Sequence, residues 1–150
     1  MPVPTFTTRA IGLDGLARQF SRADIEFHGV DHAGASYEGR VFLDNPTADE
    51  TTPKSAEAGY AGSFHIFGHG GCFGDEGHCD VEPRRRYDPR PAHQLTPAKK
   101  VVIATDAVRR VVQERHQTTI TVVPVVTSLT PKSDMDQVLK FESVTIVTYR

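Results

Sequence analysis

Two cysteines, no tryptophan and a near balance of charge (17 Lys and Arg against 19 Asp and Glu, formally -2) show what this 150-residue chain does without. Two cysteines are too few for a disulfide scaffold and suffice for one bridge or two metal ligands. Balanced charge removes the basic footprint expected of a general nucleic-acid binder. No run approaches the roughly 18 consecutive apolar residues of a membrane span. Met1-Pro2-Val3-Pro4-Thr5 has neither the charged nor the apolar region of a secretory signal, so the expected location is cytoplasmic. There is no Gly-x-Ser-x-Gly elbow, no Walker loop, no dinucleotide fingerprint and no internal repeat, which leaves nucleophilic catalysis without a motif and any catalytic residue unknown. At this length one core buries roughly 70% of the unfolded chain's surface, so folding needs no metal and a metal would serve function first.

What is present is mostly strand. Residues 1–23 read as an N-terminal arm or weak helix, with Leu13, Leu16, Ala17 and Phe20 at helical spacing despite Gly12 and Gly15. From residue 24 the period becomes two. Ile25 and Phe27 share one face of a strand ending at Val30, and Glu26 and His28 share the other. Residues 37–43 form a second strand after a small polar turn, and Asp44-Asn45-Pro46 stops it before a polar loop over 47–59. In a third strand, 60–67, Phe64 and Ile66 point one way and Ser63, His65 and Phe67 the other. Residues 68–97, punctuated by Gly and Pro, have no period, and loops of that length tend to be functional or disordered.

The spacing then predicts a strand over 99–104 and a helix over about 107–115, capped by Thr105-Asp106, with Val108, Val111 and Val112 as its apolar stripe. A long strand over 118–127 follows, where Pro124 marks an edge or a bulge. In the last strand, 138–149, Leu139 and Phe141 are out of phase with Val144 and Ile146, which predicts a bulge near Ser143. The expected fold is mainly β: an antiparallel β-sandwich of about six to eight strands over residues 24–150, with one short helix and a long Gly/Pro-rich loop.

The chemistry concentrates in one region. His28, His32, His65, His69 and His78, five of the seven histidines, lie between positions 28 and 78 together with Cys72 and Cys79. Imidazole and thiolate are the preferred protein ligands of copper and zinc, and His65 and His69 share one strand face if the third strand extends that far. The candidate metal ligands are His32, His65, His69 and His78, with Asp31, Asp75, Glu76 and Asp80 available to orient the imidazoles. Cys72 and Cys79 are either further ligands or a disulfide over a short loop, worth roughly 2.5 kcal/mol in the chain-entropy model. Their spacing matches no zinc-ribbon or redox pattern. Each histidine singly has the competing reading of a hydrogen-bonded structural residue. That reading is preferred for His28, beside Glu26, and for His93 and His116. The run Arg84-Arg85-Arg86 with Arg90 has Asp80, Glu82 and Asp88 beside it, so a salt-bridged loop accounts for it better than a phosphate site.

Three stretches together resemble a known family. Phe27-His28-Gly29-Val30-Asp31-His32-Ala33-Gly34-Ala35-Ser36-Tyr37-Glu38-Gly39-Arg40-Val41-Phe42-Leu43-Asp44-Asn45-Pro46, then Tyr60-Ala61-Gly62-Ser63-Phe64-His65-Ile66-Phe67-Gly68-His69-Gly70, then Tyr87-Asp88 with Ile103-Ala104-Thr105-Asp106-Ala107, look like the β-sandwich domain that follows the copper domain in tyrosinase-like polyphenol oxidases and molluscan haemocyanins. The likeness runs from about residue 24 to 149. It implies a sandwich that packs beside a type-3 copper centre and limits access of phenolic substrates. In that family six histidines on a four-helix bundle hold the copper, and this chain has no such bundle.

Three functions follow as expectations. The first is a stand-alone, tyrosinase-associated sandwich that binds a transition metal, copper before zinc, and shields, stabilises or supplies a type-3 copper partner. The second is a small mononuclear metal-dependent oxidoreductase acting on phenolic or similar small molecules. The third is an interaction module without metal, its cysteines bridged.

Overall fold

The computed structural model describes residues 3–68, 86–87, 89, 97–128 and 138–150. Nine antiparallel strands and one helix form in them. A four-stranded sheet has the order β1-β8-β4-β5, from β1 (Phe6–Thr7), β4 (Ser36–Leu43), β5 (Tyr60–Ile66) and β8 (Ile120–Ser128). A three-stranded sheet has the order β6-β3-β9, from β3 (Arg22–Val30), β6 (Ala98–Ile103) and β9 (Ser143–Tyr149). A small ribbon pairs β2 (Ile11–Gly12) with β7 (Gln117–Thr118).

The inward residues of the two larger sheets make one core, as two-residue alternation requires. Ala23, Ile25 and Phe27 of β3 meet Tyr37, Val41 and Leu43 of β4, Phe64 and Ile66 of β5, and Ile120 and Val122 of β8. Aromatic rings join the layers: Phe27 lies 4.7 Å from Phe64 and 5.3 Å from Phe141 between centroids. Gly39 makes room for this, because the Phe64 ring occupies the space a Cβ there would need. The near-continuous apolar run of β8 has its explanation on the other face. There Ala48 and Ala58 of the 45–59 loop, with Tyr60 at the start of β5, cover Phe42, Val123 and Val125, so β8 is buried on both sides.

That loop is closed by a glycine. Gly59 has φ +83, its carbonyl accepts the Leu43 N–H at 2.8 Å, and a Cβ on it would stand 2.2 Å from the Leu43 carbonyl oxygen. Gly59→Ala is expected to lower stability by about 2 kcal/mol through the left-handed backbone and the clash together. Thermal unfolding beside wild type measures it, and an unchanged midpoint would refute this account of the loop.

Several sequence expectations change in detail. Of the segment expected as an arm or weak helix, residues 3–23 contain no helix: β1 pairs with β8, β2 with β7, and Leu13 and Phe20 are buried between turns. The helix α1 (Thr105–Glu114) begins earlier than expected, and its N-cap is Ala104 without a side-chain bond. Thr105 does not cap it, because its hydroxyl accepts the Ala23 N–H at 3.2 Å and ties the helix to β3. The strand over 118–127 breaks at Thr119 into β7 and β8. Pro124 lies beyond the reach of two-residue β1, on the open side of β8, where a missing N–H costs no ladder bond.

At the last strand, β9 starts at Ser143, five residues later than the spacing predicts. His28 is the Cα partner of Ser143 and also accepts the Glu142 N–H at 2.9 Å, so two successive residues address one. Leu139, Phe141, Val144 and Ile146 all pack against the core across this change of phase. Most of the expected aperiodic loop over 68–97 lies outside the described residues, as do Arg84, Arg85 and Arg90. No described helix is long and apolar enough to cross a membrane.

Candidate functional site

The turn between β3 and β4 is shaped by Asp31, whose Oδ1 accepts the Ala33 N–H at 2.8 Å in an Asx turn. Facing it, β5 runs out at Ile66, the Cα partner of Tyr37. Two residues further on the chain is fastened to the turn, where Gly68 N donates to Ser36 Oγ at 3.0 Å. A Cβ on Gly68 would lie 2.1 Å from the Gly34 carbonyl oxygen and 2.6 Å from that of Ala35, so the approach requires glycine.

Two of the four expected metal ligands sit at this end of the sandwich. His32 is half-buried in the turn. His65 is exposed one residue before the end of β5, on the outer face, opposite Glu38. His69 and His78 lie outside the described residues, as do Cys72, Cys79, His93, Asp75, Glu76 and Asp80. Among the described residues no three His, Cys, Asp or Glu side chains gather into a metal-holding group. Asp31, expected to orient an imidazole, spends one carboxylate oxygen on the turn itself. Of the remaining histidines, His28 Nε2 lies 3.3 Å from Glu26 Oε2 on the outer face of β3, and His116 Nδ1 lies 3.4 Å from Asp14 Oδ1 in solvent.

Beneath the turn is a group that sequence reasoning missed. The Tyr37 side chain is almost fully buried, and its hydroxyl has no hydrogen-bond partner among the described residues. A buried hydroxyl left without any partner costs about 1–3 kcal/mol. Burial pushes the phenol up and the Asp31 carboxylate adds to the effect, so the hydroxyl stays protonated as a neutral donor at the end where His32 and Gly68 lie. The signal for it was present: Tyr37 shares the inward phase of β4 with Val41 and Leu43, and a tyrosine there takes its O–H into the core.

The second missed feature is a charge network on the outer face of β4. Glu38, buried, accepts hydrogen bonds from Lys54 Nζ, from Ser63 Oγ at 2.9 Å and from Arg40 Nε at 3.2 Å. Tyr60 OH and Ser63 Oγ are 2.7 Å apart, and Arg40 also donates to the Glu50 carbonyl at 3.3 Å. Desolvation works against the carboxylate, but the donors Lys54, Ser63 and Arg40 outweigh it and hold the carboxyl down to about 2. Every strong partner is already committed within this cluster, so its chemistry is that of a clamp on the 45–59 loop.

At the other end of β4 a groove of about 290 Å³ separates α1 from that loop, lined by Asp44, Asn45, Glu57, Arg110, Glu114 and Arg115 among others. Arg115 Nε and Asp44 Oδ2 are 3.2 Å apart across it. Its charges are of both signs and it lies away from the histidines. Comparison of the chain with protein-family models, curated proteins and solved structures gives no match.

Proposed function

We propose that this chain is a non-catalytic β-sandwich that binds a transition metal ion, copper before zinc, through His32, His65, His69 and His78, and that it shields, stabilises or supplies a type-3 copper partner. The observation that carries the reading is the seating of Gly68 on the Gly34–Ser36 backbone. It sets the residue that precedes His69 against the turn that holds His32. The described residues supply two imidazoles at this end, and a closed site takes its other ligands from the segment that begins at His69.

The partner rests on the family resemblance and on what the chain does not carry itself. The described helix, Thr105–Glu114, contains no histidine, so a copper bundle of the tyrosinase type is not formed by the described residues.

Purified without a histidine tag and dialysed after incubation with Cu(I), Cu(II) or Zn(II), the chain is expected to retain about one transition ion, read by elemental analysis. His32→Ala and His69→Ala are each expected to weaken retention at least about tenfold without a matching loss of thermal stability. No retained metal in the wild type under any of the three conditions would end this reading.

A further inference from the structure

Among the described strands of six residues or more, four have an unpaired margin, and three of these carry a feature that discourages pairing. Strand β6 has Lys99 and Lys100, and its register with β3 shifts between Phe27 and Val30. Strand β5 has a register shift at Ala61, beside Gly62 with φ +140. Strand β8 carries Pro124 where β1 no longer covers it. These are the usual protections of an edge.

Strand β9 has none of them. Ser143-Val144-Thr145-Ile146-Val147-Thr148-Tyr149 contains no charge, proline or glycine, is rich in β-branched residues, and keeps an unbroken register with β3 from Tyr149 to Ser143. Such a strand is a template for another strand.

We infer that β9 is the pairing edge of a homodimer, in which two copies of β9 meet antiparallel about a two-fold axis at Ile146. The backbone has the right phase. On β3, Ala23 O accepts from Ala104 N on the β6 side, so Arg22, Asp24, Glu26 and His28 bond β9 through Tyr149, Val147, Thr145 and Ser143. The N–H and C=O groups of Val144, Ile146 and Thr148 therefore point to the open margin.

Centred on Ile146, the pairing sets Ile146 against its own copy, Val144 against Thr148 and Thr145 against Val147. One position beyond the strand it sets Glu142 against Arg150, twice by symmetry. Both are exposed, and neither has an ion-pair partner among the described residues. Shifting the register by two residues either way removes this match, so charge selects the centre as well as the partner. Phe6, 41% exposed, meets edge-on the ring of Phe141, two residues before this strand. Pairing joins the two three-stranded sheets into one of six, by an isologous contact that closes on itself.

Sedimentation equilibrium of the whole chain tests this, with an expected mass twice 16.5 kDa. Arg150→Glu sets like charges opposite each other twice and is expected to raise the dimer dissociation constant about tenfold, while Glu142→Arg combined with Arg150→Glu restores it to within about threefold. Thr148→Pro removes an outward N–H from each copy and is expected to weaken the dimer at least about tenfold, with circular dichroism confirming the fold. A chain that stays monomeric at about 100 μM, a dimer indifferent to Thr148→Pro in folded protein, or a charge reversal without rescue each overturns the proposal.

Discussion

Phe27→Ala is expected to lower the unfolding free energy by about 3–5 kcal/mol, the range for removing a large aromatic side chain from a close-packed core. Phe27 is fully buried at the middle of β3, between Phe64 of the opposite sheet and Phe141 of the segment leading into β9. Three losses coincide there. The ring's own burial contributes about 1.5–3 kcal/mol, its two ring contacts add about 0.5–1.5 kcal/mol each, and the cavity cannot close because β3 is held on both sides by β6 and β9. Phe67, 86% exposed, is the control, and Phe67→Ala should change stability by no more than about 0.5 kcal/mol. Urea unfolding of the two variants beside wild type decides the matter. A loss below about 1 kcal/mol for Phe27→Ala would mean that the sheets are held together elsewhere.

Alternation made this core legible in advance. Ile25 and Phe27, then Phe64 and Ile66, announce their inward phase because each of these strands has one wet face, and the phase of two residues fixes the rest. The same logic weakens where both faces are covered. Ile120 to Val126 reads as an apolar run whichever way it turns, and its outer cover is visible only when Ala48 and Ala58 of the 45–59 loop are seen to fold back onto the Phe42 and Val123 face. Local signals also compete. Thr105 has the chemistry of a helix cap, yet its hydroxyl serves the Ala23 N–H, a partner 82 positions away that no local pattern contains. The histidine-rich end was partly legible. Sequence spacing isolates His32 and His65, but only the seating of Gly68 on the Gly34–Ser36 backbone brings the end of β5 to the turn. Tyr37 and Lys54 were missed for different reasons: an inward tyrosine looks like any core aromatic, and a loop lysine gives no hint of the carboxylate it will find.

The Glu38 network sets the expected response to acid. In the folded chain the donors from Lys54, Ser63 and Arg40 hold the Glu38 carboxyl at about 2, against 4.5 for an ordinary glutamate. The folded state therefore releases this proton more readily than the unfolded state does, and the resulting stability is complete above about pH 4.5. It is lost progressively as the pH falls toward 2, below which both states are protonated and the term vanishes. Glu38 is 8% exposed, so solvent screens the pairing little, and the linked free energy is of the order of 2–3 kcal/mol. Glu38→Gln keeps the shape but removes the charge that Lys54 and Arg40 face, and at pH 7 it should cost about that amount, first loosening the 45–59 loop. Between pH 4.5 and 2 the variant's stability should fall less steeply than the wild type's, so that the two curves approach each other at the acid end. Urea unfolding at intervals across this window measures both. Parallel curves would show that Glu38 titrates alike in the folded and unfolded chain, and that the cluster holds the loop by packing alone.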